Sequence, residues 1–148
     1  MNLNQSLFIM IIGSFLIQFV IMSRLMTNQM LNIRSSIGKF YISCIMALLM
    51  GLLEVFMYDY HMGSISIIYY LALCFILTIF IYLYRNQVYI YDKDYLNEMI
   101  EHHSMALLTS EEILQKTGNE RVKRLAENII STQQAEIVYM DKLLNTMD

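Results

Sequence analysis

The amino-acid sequence predicts an all-α protein in which three transmembrane helices are followed by a C-terminal antiparallel two-helix hairpin. Hydrophobic residues make up 57% of the chain, against about 45–50% in soluble proteins. They are concentrated in three long runs before residue 92, whereas the apolar residues after it recur at helical spacing among charged ones. We therefore expect a membrane region, 1–91, and a small helical domain, 92–148.

Three membrane spans are expected, near residues 7–22, 40–60 and 65–84. The first run is short, close to the lower limit for a helix that crosses a bilayer. A cleaved signal peptide is the alternative for this run. No basic stretch precedes it and no small-residue cleavage site follows it, so a retained helix is favoured. A short turn joins the other two runs, which predicts a helical hairpin in the bilayer.

The basic residues predict the side of the membrane on which the C-terminal domain lies. With three spans, one side receives every Lys and Arg that flanks a span: Arg24, Arg34, Lys39, Arg85 and Lys93. The positive-inside rule then places residues 92–148 in the cytoplasm. This domain holds eleven acidic and six basic residues, which argues against a nucleic-acid partner.

Within the C-terminal domain, one helix is expected from Asp92 to a glycine cap near Gly118, and a second from Glu120 to about Asn145. The inner face of the first helix is predicted to hold Tyr95, Met99, His102, Ala106 and Ile113. The inner line of the second is predicted to hold Val122, Leu125, Ala126, Ile129, Ile137, Met140 and Leu144.

The short connection at Gly118 predicts antiparallel packing of these two helices and sets their register. Under that register His102 lies opposite Gln133, Met99 lies opposite Glu136, and Tyr95 lies opposite Met140. Polar side chains of the second helix would thus face the histidines of the first.

The adjacent residues His102 and His103 form, with nearby methionines, the densest cluster of candidate metal ligands. Met99 and Met105 each lie three residues from His102, so thioether and imidazole groups share one helix surface. Imidazole with thioether suits copper, Cu(I) especially. The alternative is a structural seam in which a histidine hydrogen-bonds to Gln133 or Glu136. The residues alone leave both interpretations open.

A second line of candidate ligands runs along the second span, at helical spacing. An acidic residue inside a span is costly and marks a candidate functional position. The line predicts a membrane path for a soft cation; the alternative is lipid-compatible filler with the acid near the headgroups. Its members are Met46, Met50, Glu54, Met57 and His61.

No catalytic constellation is present, so the chain is not expected to be an enzyme. Cys44 and Cys74 lie in apolar runs, which indicates small buried hydrophobes rather than a disulfide framework. The sequence has no Cys-x-x-Cys, no glycine-rich phosphate loop and no His-Glu-x-x-His. The paired Glu-x-x-His motifs of di-iron bundles are also missing.

Two motifs in the C-terminal domain resemble those of domain of unknown function family 305. Residues 99–106, Met-Ile-Glu-His-His-Ser-Met-Ala, are similar to the family's Met-Ile-Pro-His-His-x-x-Ala. Residues 129–140 are similar to its Ile-Ile-x-x-Gln-x-x-Glu-Ile-x-x-Met. The likeness extends to the Met-rich stretch 46–51 and to Arg-x-Gln at 85–87, and is weakest over 1–40. One position departs from the pattern, because Glu101 stands where the family has proline.

The resemblance implies a ferritin-like bundle, of which the predicted hairpin is half, and a role in binding copper or another soft metal ion for metal handling or tolerance. The alternative is a non-catalytic oligomerisation module without a ligand, because so short a hairpin buries little surface alone. A homo-oligomer is expected in either case. Exported family members imply an extracytoplasmic domain, against the charge bias. The resemblance carries over as site candidates His102, His103, Met99, Gln133, Glu136 and Met140.

Overall fold

The computed structural model describes residues 2–147, and across these residues the chain forms five long helices and no strand. The all-α prediction is confirmed. Helix α1 changes to π-helical geometry at Ile17–Met22 before its last turn, and a short 3-10 turn at Met30–Asn32 follows it. The helices are α1 (Leu3–Met26), α2 (Ile37–Met62), α3 (Ile67–Arg85), α4 (Asp92–Leu114) and α5 (Glu120–Thr146).

The chain divides into two compact units. Unit 1 contains residues up to 22 together with 37–89, and unit 2 contains residues 23–36 together with those from 90 onward. The connection 23–36, which the sequence analysis placed in the membrane region, therefore folds with α4 and α5. We call residues 23–36 the connecting segment.

Unit 1 is built around α2. A third of the most apolar stretch of α2 is buried, against 6% of the corresponding stretches of α1 and α3, so α2 is the central helix of this unit. The buried core consists of Leu3, Leu48, Val55 and Leu73. All three helices are long and apolar enough to cross a membrane, and each overlaps one of the three predicted spans.

Close approach and polar contacts fix the helices of unit 1. A Cβ atom at Gly51 would lie 3.1 Å from Cγ1 of Ile11, so the absence of a side chain there lets α1 approach α2. The Ser6 hydroxyl donates a hydrogen bond to the Glu54 carboxylate, which satisfies an acid that would be costly among apolar helices. At the other end of α2, Asp59 accepts from the Ser66 backbone N–H at 2.7 Å and ties the turn to α3.

In unit 2, α4 and α5 pack against each other through a continuous apolar core. Its buried members are Leu96, Ile100, Leu107, Ile137 and Met140. Helix α5 begins where the Asn119 side chain accepts hydrogen bonds from two backbone N–H groups of its first turn. The predicted cap at Gly118 is wrong, because α4 ends at Leu114. Gly118 also lacks the left-handed conformation of such a cap, since among the described glycines only Gly63 has a positive φ.

The inner face of α4 is rotated by one residue from the predicted one, so that prediction was wrong. Tyr95 and His102 are exposed, whereas Leu96 and His103 next to them are buried. The physical reason is that the face centred on Ile100 carries aliphatic side chains without polar atoms, which gain most from leaving water. On α5 the prediction was closer, because Ala126, Ile137 and Met140 are buried as expected.

Candidate functional site at the seam of α4 and α5

His103 is the histidine that enters the seam, and both of its ring nitrogens are engaged there. Nδ1 lies 2.7 Å from the Met99 carbonyl oxygen one turn earlier. Nε2 lies 2.9 Å from a carboxylate oxygen of Glu136 on α5. The His103 side chain is only 10% exposed, whereas that of Glu136 is half exposed. The pair therefore joins the two helices at the edge of their apolar core.

In this arrangement the nitrogen of His103 that could face a metal ion, Nε2, is engaged by Glu136. A carbonyl oxygen only accepts hydrogen bonds, so the Met99 contact requires a proton on Nδ1 of His103. A metal ion needs a deprotonated imidazole nitrogen, and binding one here would break a contact that holds the helices together.

His102 takes the opposite position. Its side chain is exposed, and its ring centroid lies 6.0 Å from that of His103, with the rings tilted by 68°. No hydrogen bond among the described residues involves the His102 ring. Adjacent residues on a helix point about 100° apart, so the two imidazoles cannot turn toward one ion within one copy of the chain.

The other predicted ligands fall in different surroundings. Met99 packs against the apolar core and Met140 belongs to it, while Gln133 and Met105 are half-buried. Among residues 2–147, no three His, Cys, Asp or Glu side chains lie together in a way that could hold a metal ion. A metal centre within one copy of the domain is therefore not supported by this arrangement.

The predicted line along α2 lies largely at the surface of unit 1. Met46, Met57 and His61 are exposed, and Met50 and Glu54 are half-buried. The His61 ring contacts the Met57 carbonyl oxygen through Nδ1 at 2.9 Å. Glu54, the one acid in the line, is bound by Ser6 of α1 and so contributes to the packing of two helices.

A set of polar contacts that the sequence analysis did not predict holds the connecting segment against α4. The Ser104 side chain, fully buried, donates to Oδ1 of Asn28 at 2.6 Å and accepts from the Asn28 backbone N–H at 3.1 Å. The Asn32 side chain also reaches Ser104, at 3.3 Å. These bonds satisfy a buried hydroxyl and fix one side of α4 to the segment.

Arg34 extends this network to both helices of unit 2. Its backbone N–H donates to the Glu101 carboxylate at 2.9 Å, and its guanidinium forms an ion pair with Asp141 of α5 at 2.7 Å. The signal that could have indicated this contact was charge: the segment carries Arg24 and Arg34 and no acid, next to an acidic domain.

The seam geometry predicts different roles for the two adjacent histidines. His103→Ala should lower the free energy of unfolding of unit 2 by about 2 kcal/mol, because it removes two hydrogen bonds, one to a carboxylate. His102→Ala, the matched control, should change it by less than about 0.5 kcal/mol because its side chain is exposed. Hydrogen exchange of α4 and α5 in the full chain measures both, and a larger effect at His102 would contradict the assignment.

Comparison of the sequence with known proteins places the chain in a family. The "Uncharacterized protein L153" of Acanthamoeba polyphaga mimivirus is 35% identical over 142 residues, which are 96% of this chain and 93% of that protein. The sequence profile of the family described as domain of unknown function (DUF305) matches residues 83–148. The chain belongs to the DUF305 family. No solved protein structure matches it significantly.

Within the DUF305 domain of this chain, Glu101 stands where the motif that residues 99–106 resemble has proline. The residue lies inside α4, is buried and accepts a hydrogen bond from the connecting segment. Proline could neither continue the helix nor make this contact. In this chain Glu101 thus ties α4 to the connecting segment.

Proposed function

We propose that this DUF305 protein is a multi-pass membrane protein, not an enzyme, whose C-terminal domain is a helical module that associates with a second copy of itself. The observation that carries the proposal is an exposed apolar face beside the seam, which we call the open face. It consists of the exposed Tyr95 and Ile113 of α4 and Val122 and Leu125 of α5, together with the half-buried Met99 and Ala106 of α4.

The open face lies on the side of α4 and α5 away from the connecting segment. Tyr95 and Ile113 are each nine residues from Ser104, which contacts the segment, so at about 100° per residue they point in the opposite direction. On α5, Leu125 lies about 160° around the helix from Asp141, the partner of Arg34. One side of unit 2 is therefore covered by the segment and the other is not.

The apolar surface of the open face, if buried, contributes a free energy comparable with the cost of pairing two copies. Tyr95, Ile113, Val122 and Leu125 each keep more than a third of their surface exposed. Half-covering such a side chain contributes on the order of 1 kcal/mol, so the eight in a pair contribute on the order of 8 kcal/mol. Association costs about 4–15 kcal/mol, and confining both copies to one membrane lowers that cost by raising their effective concentration.

Pairing through the open face would bring four helices together. We propose that α4 and α5 form one antiparallel half of a ferritin-like bundle, completed by the same two helices of a second copy. The three apolar helices α1, α2 and α3 would cross the bilayer. The basic residues that flank them favour the cytoplasmic side for the domain.

Charge placed on the open face should separate the copies. We expect Leu125→Glu to lower the dimer fraction of the full chain in detergent several-fold, because pairing would bury an unpaired carboxylate. Ser131→Glu, on an exposed position of the same helix about 120° around it from Leu125, adds the same charge and should leave the dimer intact. Native mass measurement reads both, and equal dimer fractions in the two variants would count against the open face as the interface.

A second candidate function is the binding of a soft metal ion such as copper between two copies. The observation that favours it is the position of His102: it lies seven residues after Tyr95, on nearly the same line of α4, with its ring exposed. Pairing through the open face would bring His102 of each copy to one interface, with Met99 three residues away.

Cu(I) titration of the full chain in detergent tests this second candidate. We expect uptake of about one ion per dimer, since two imidazoles and nearby thioethers suit Cu(I), and loss of that uptake in His102→Ala. His61→Ala is the control, because it removes an exposed imidazole elsewhere. Unchanged uptake in His102→Ala would exclude a site at this position.

A further inference from the structure

We propose that the connecting segment is a two-sided anchor, whose polar side holds α4 and α5 and whose apolar side lies in the lipid headgroup interface of the membrane. This inference rests on the proposed membrane-spanning role of α1 and α2. It assigns a lipid contact to a segment that also folds as part of unit 2.

The apolar side of the segment is exposed to an unusual degree. Leu25, Met30 and Leu31 keep 67%, 70% and 81% of their surface exposed, although they stand within seven residues of one another. Thr27 and Asn32, which alternate with them, are buried. The segment therefore buries these polar side chains against the helices of unit 2 and exposes its large apolar ones. A segment that faces water would show the opposite arrangement.

The ends of the segment identify lipid as the occupant of this surface. It begins in the last residues of α1 and ends immediately before α2 at Ile37, and both helices are long and apolar enough to cross a membrane. A segment of 14 residues tethered at both ends to spans stays near the bilayer surface. Large apolar side chains at that depth leave water by entering the boundary between headgroups and acyl chains.

The charge of the segment fits an anionic headgroup. Arg34 is turned toward unit 2 by its ion pair with Asp141, whereas Arg24 is exposed and has no ion pair among the described residues. The segment contains no Asp or Glu. Arg24, adjacent to Leu25, can therefore contact a lipid phosphate while the apolar side chains insert beside it.

A single introduced tryptophan can locate the segment, because the natural chain contains none. Met30→Trp in the full chain, reconstituted in phosphatidylcholine vesicles, should be quenched several-fold more by lipid brominated near the headgroup than Asn128→Trp, which lies on an exposed part of α5. Phe75→Trp, exposed in the middle of α3, should be quenched most by lipid brominated deep in the acyl chain.

The two tryptophan positions separate failure of this inference from failure of the proposed membrane role. Quenching at Phe75→Trp without quenching at Met30→Trp would overturn the lipid anchor while leaving the spans in place. Absence of quenching at both would overturn the spans as well. A blue-shifted Met30→Trp emission that brominated lipid does not quench would identify protein as the occupant and overturn the proposal.

The headgroup contact is tested by the identity of the brominated lipid. At equal fractions in unbrominated phosphatidylcholine, brominated phosphatidylglycerol should quench Met30→Trp more than brominated phosphatidylcholine, and Arg24→Gln should abolish that excess. Equal quenching by the two lipids in the presence of Arg24 would overturn the anionic contact.

Discussion

Glu101→Pro should destabilise unit 2 by about 3 kcal/mol or more, although proline stands at this position in the motif that residues 99–106 resemble. In this chain Glu101 lies well inside α4, where proline removes a backbone hydrogen bond and its ring clashes with the preceding turn. The change also removes the carboxylate that accepts the Arg34 backbone N–H. Hydrogen exchange of the full chain should show lost protection both in α4 and in residues 23–36.

Glu101→Gln is the matched control for this effect. It keeps a side-chain oxygen for the Arg34 N–H and leaves the helix backbone unaltered, so it should cost only about 1 kcal/mol. If Glu101→Pro were as well protected as the unaltered chain, α4 would not run unbroken through this position, and the account of Glu101 as a support for the connecting segment would fail.

Ile100→Ala should lower the free energy of unfolding of unit 2 by about 3 kcal/mol, within the range of about 2–5 for such truncations in a core. Ile100 is fully buried at the centre of the contact between α4 and α5, so the change leaves a cavity. Hydrogen exchange of α5, which is not itself altered, reports the loss directly because the two helices share one core.

Ile113→Ala makes the same chemical change on the open face, where the side chain is 40% exposed. In dilute monomeric protein it should cost less than about 1 kcal/mol, since little buried area is lost. If the inner face predicted from the sequence, which contains Ile113 and not Ile100, packed on α5, Ile113→Ala would cost more stability than Ile100→Ala. The pair of variants therefore decides which face of α4 packs on α5.

The long apolar helices could be predicted from sequence because hydropathy and length are local properties. The expected spans 7–22 and 40–60 fall inside observed helices, and the third, 65–84, begins two residues before α3. The other differences lie at the ends, where α1 continues to Leu3 and Met26 beyond its most apolar stretch. The second helix of the domain was predicted nearly to its limits, because Asn119 and Glu120 follow the pattern of a helix start.

The face of α4 could not be placed from the same reasoning. The predicted face was chosen to include the possible ligands His102 and Met99. Leu96 and Ile100 carry no polar side-chain atoms, so burying them stabilises the fold more. Two neighbouring faces of one helix differ by only 100°, and the choice between them depends on what packs against each. Because the predicted face was wrong by one residue, His102 was expected in the seam, whereas His103 is the buried histidine.

The histidine–Glu136 hydrogen bond offered as the alternative to a metal site is present, but the predicted register was wrong by about one helical turn, because it placed Met99 opposite Glu136. The register was set from a turn centred at Gly118, but α4 ends at Leu114 and Asn119 caps α5, so the partner of Glu136 is four residues later than Met99. The role of the connecting segment was missed because its contacts are distant in sequence: Arg34 and Asp141 are 107 residues apart, beyond the reach of local patterns.

Unit 2 has one side covered by the connecting segment and one open face that, in the function we propose, a second copy covers. The native mass of the unaltered full chain in detergent tests this pairing most directly. We expect a species of twice the 17.5 kDa of one chain, which Leu125→Glu converts to single chains and Ser131→Glu does not. A single-chain mass for the unaltered protein at every concentration would contradict it.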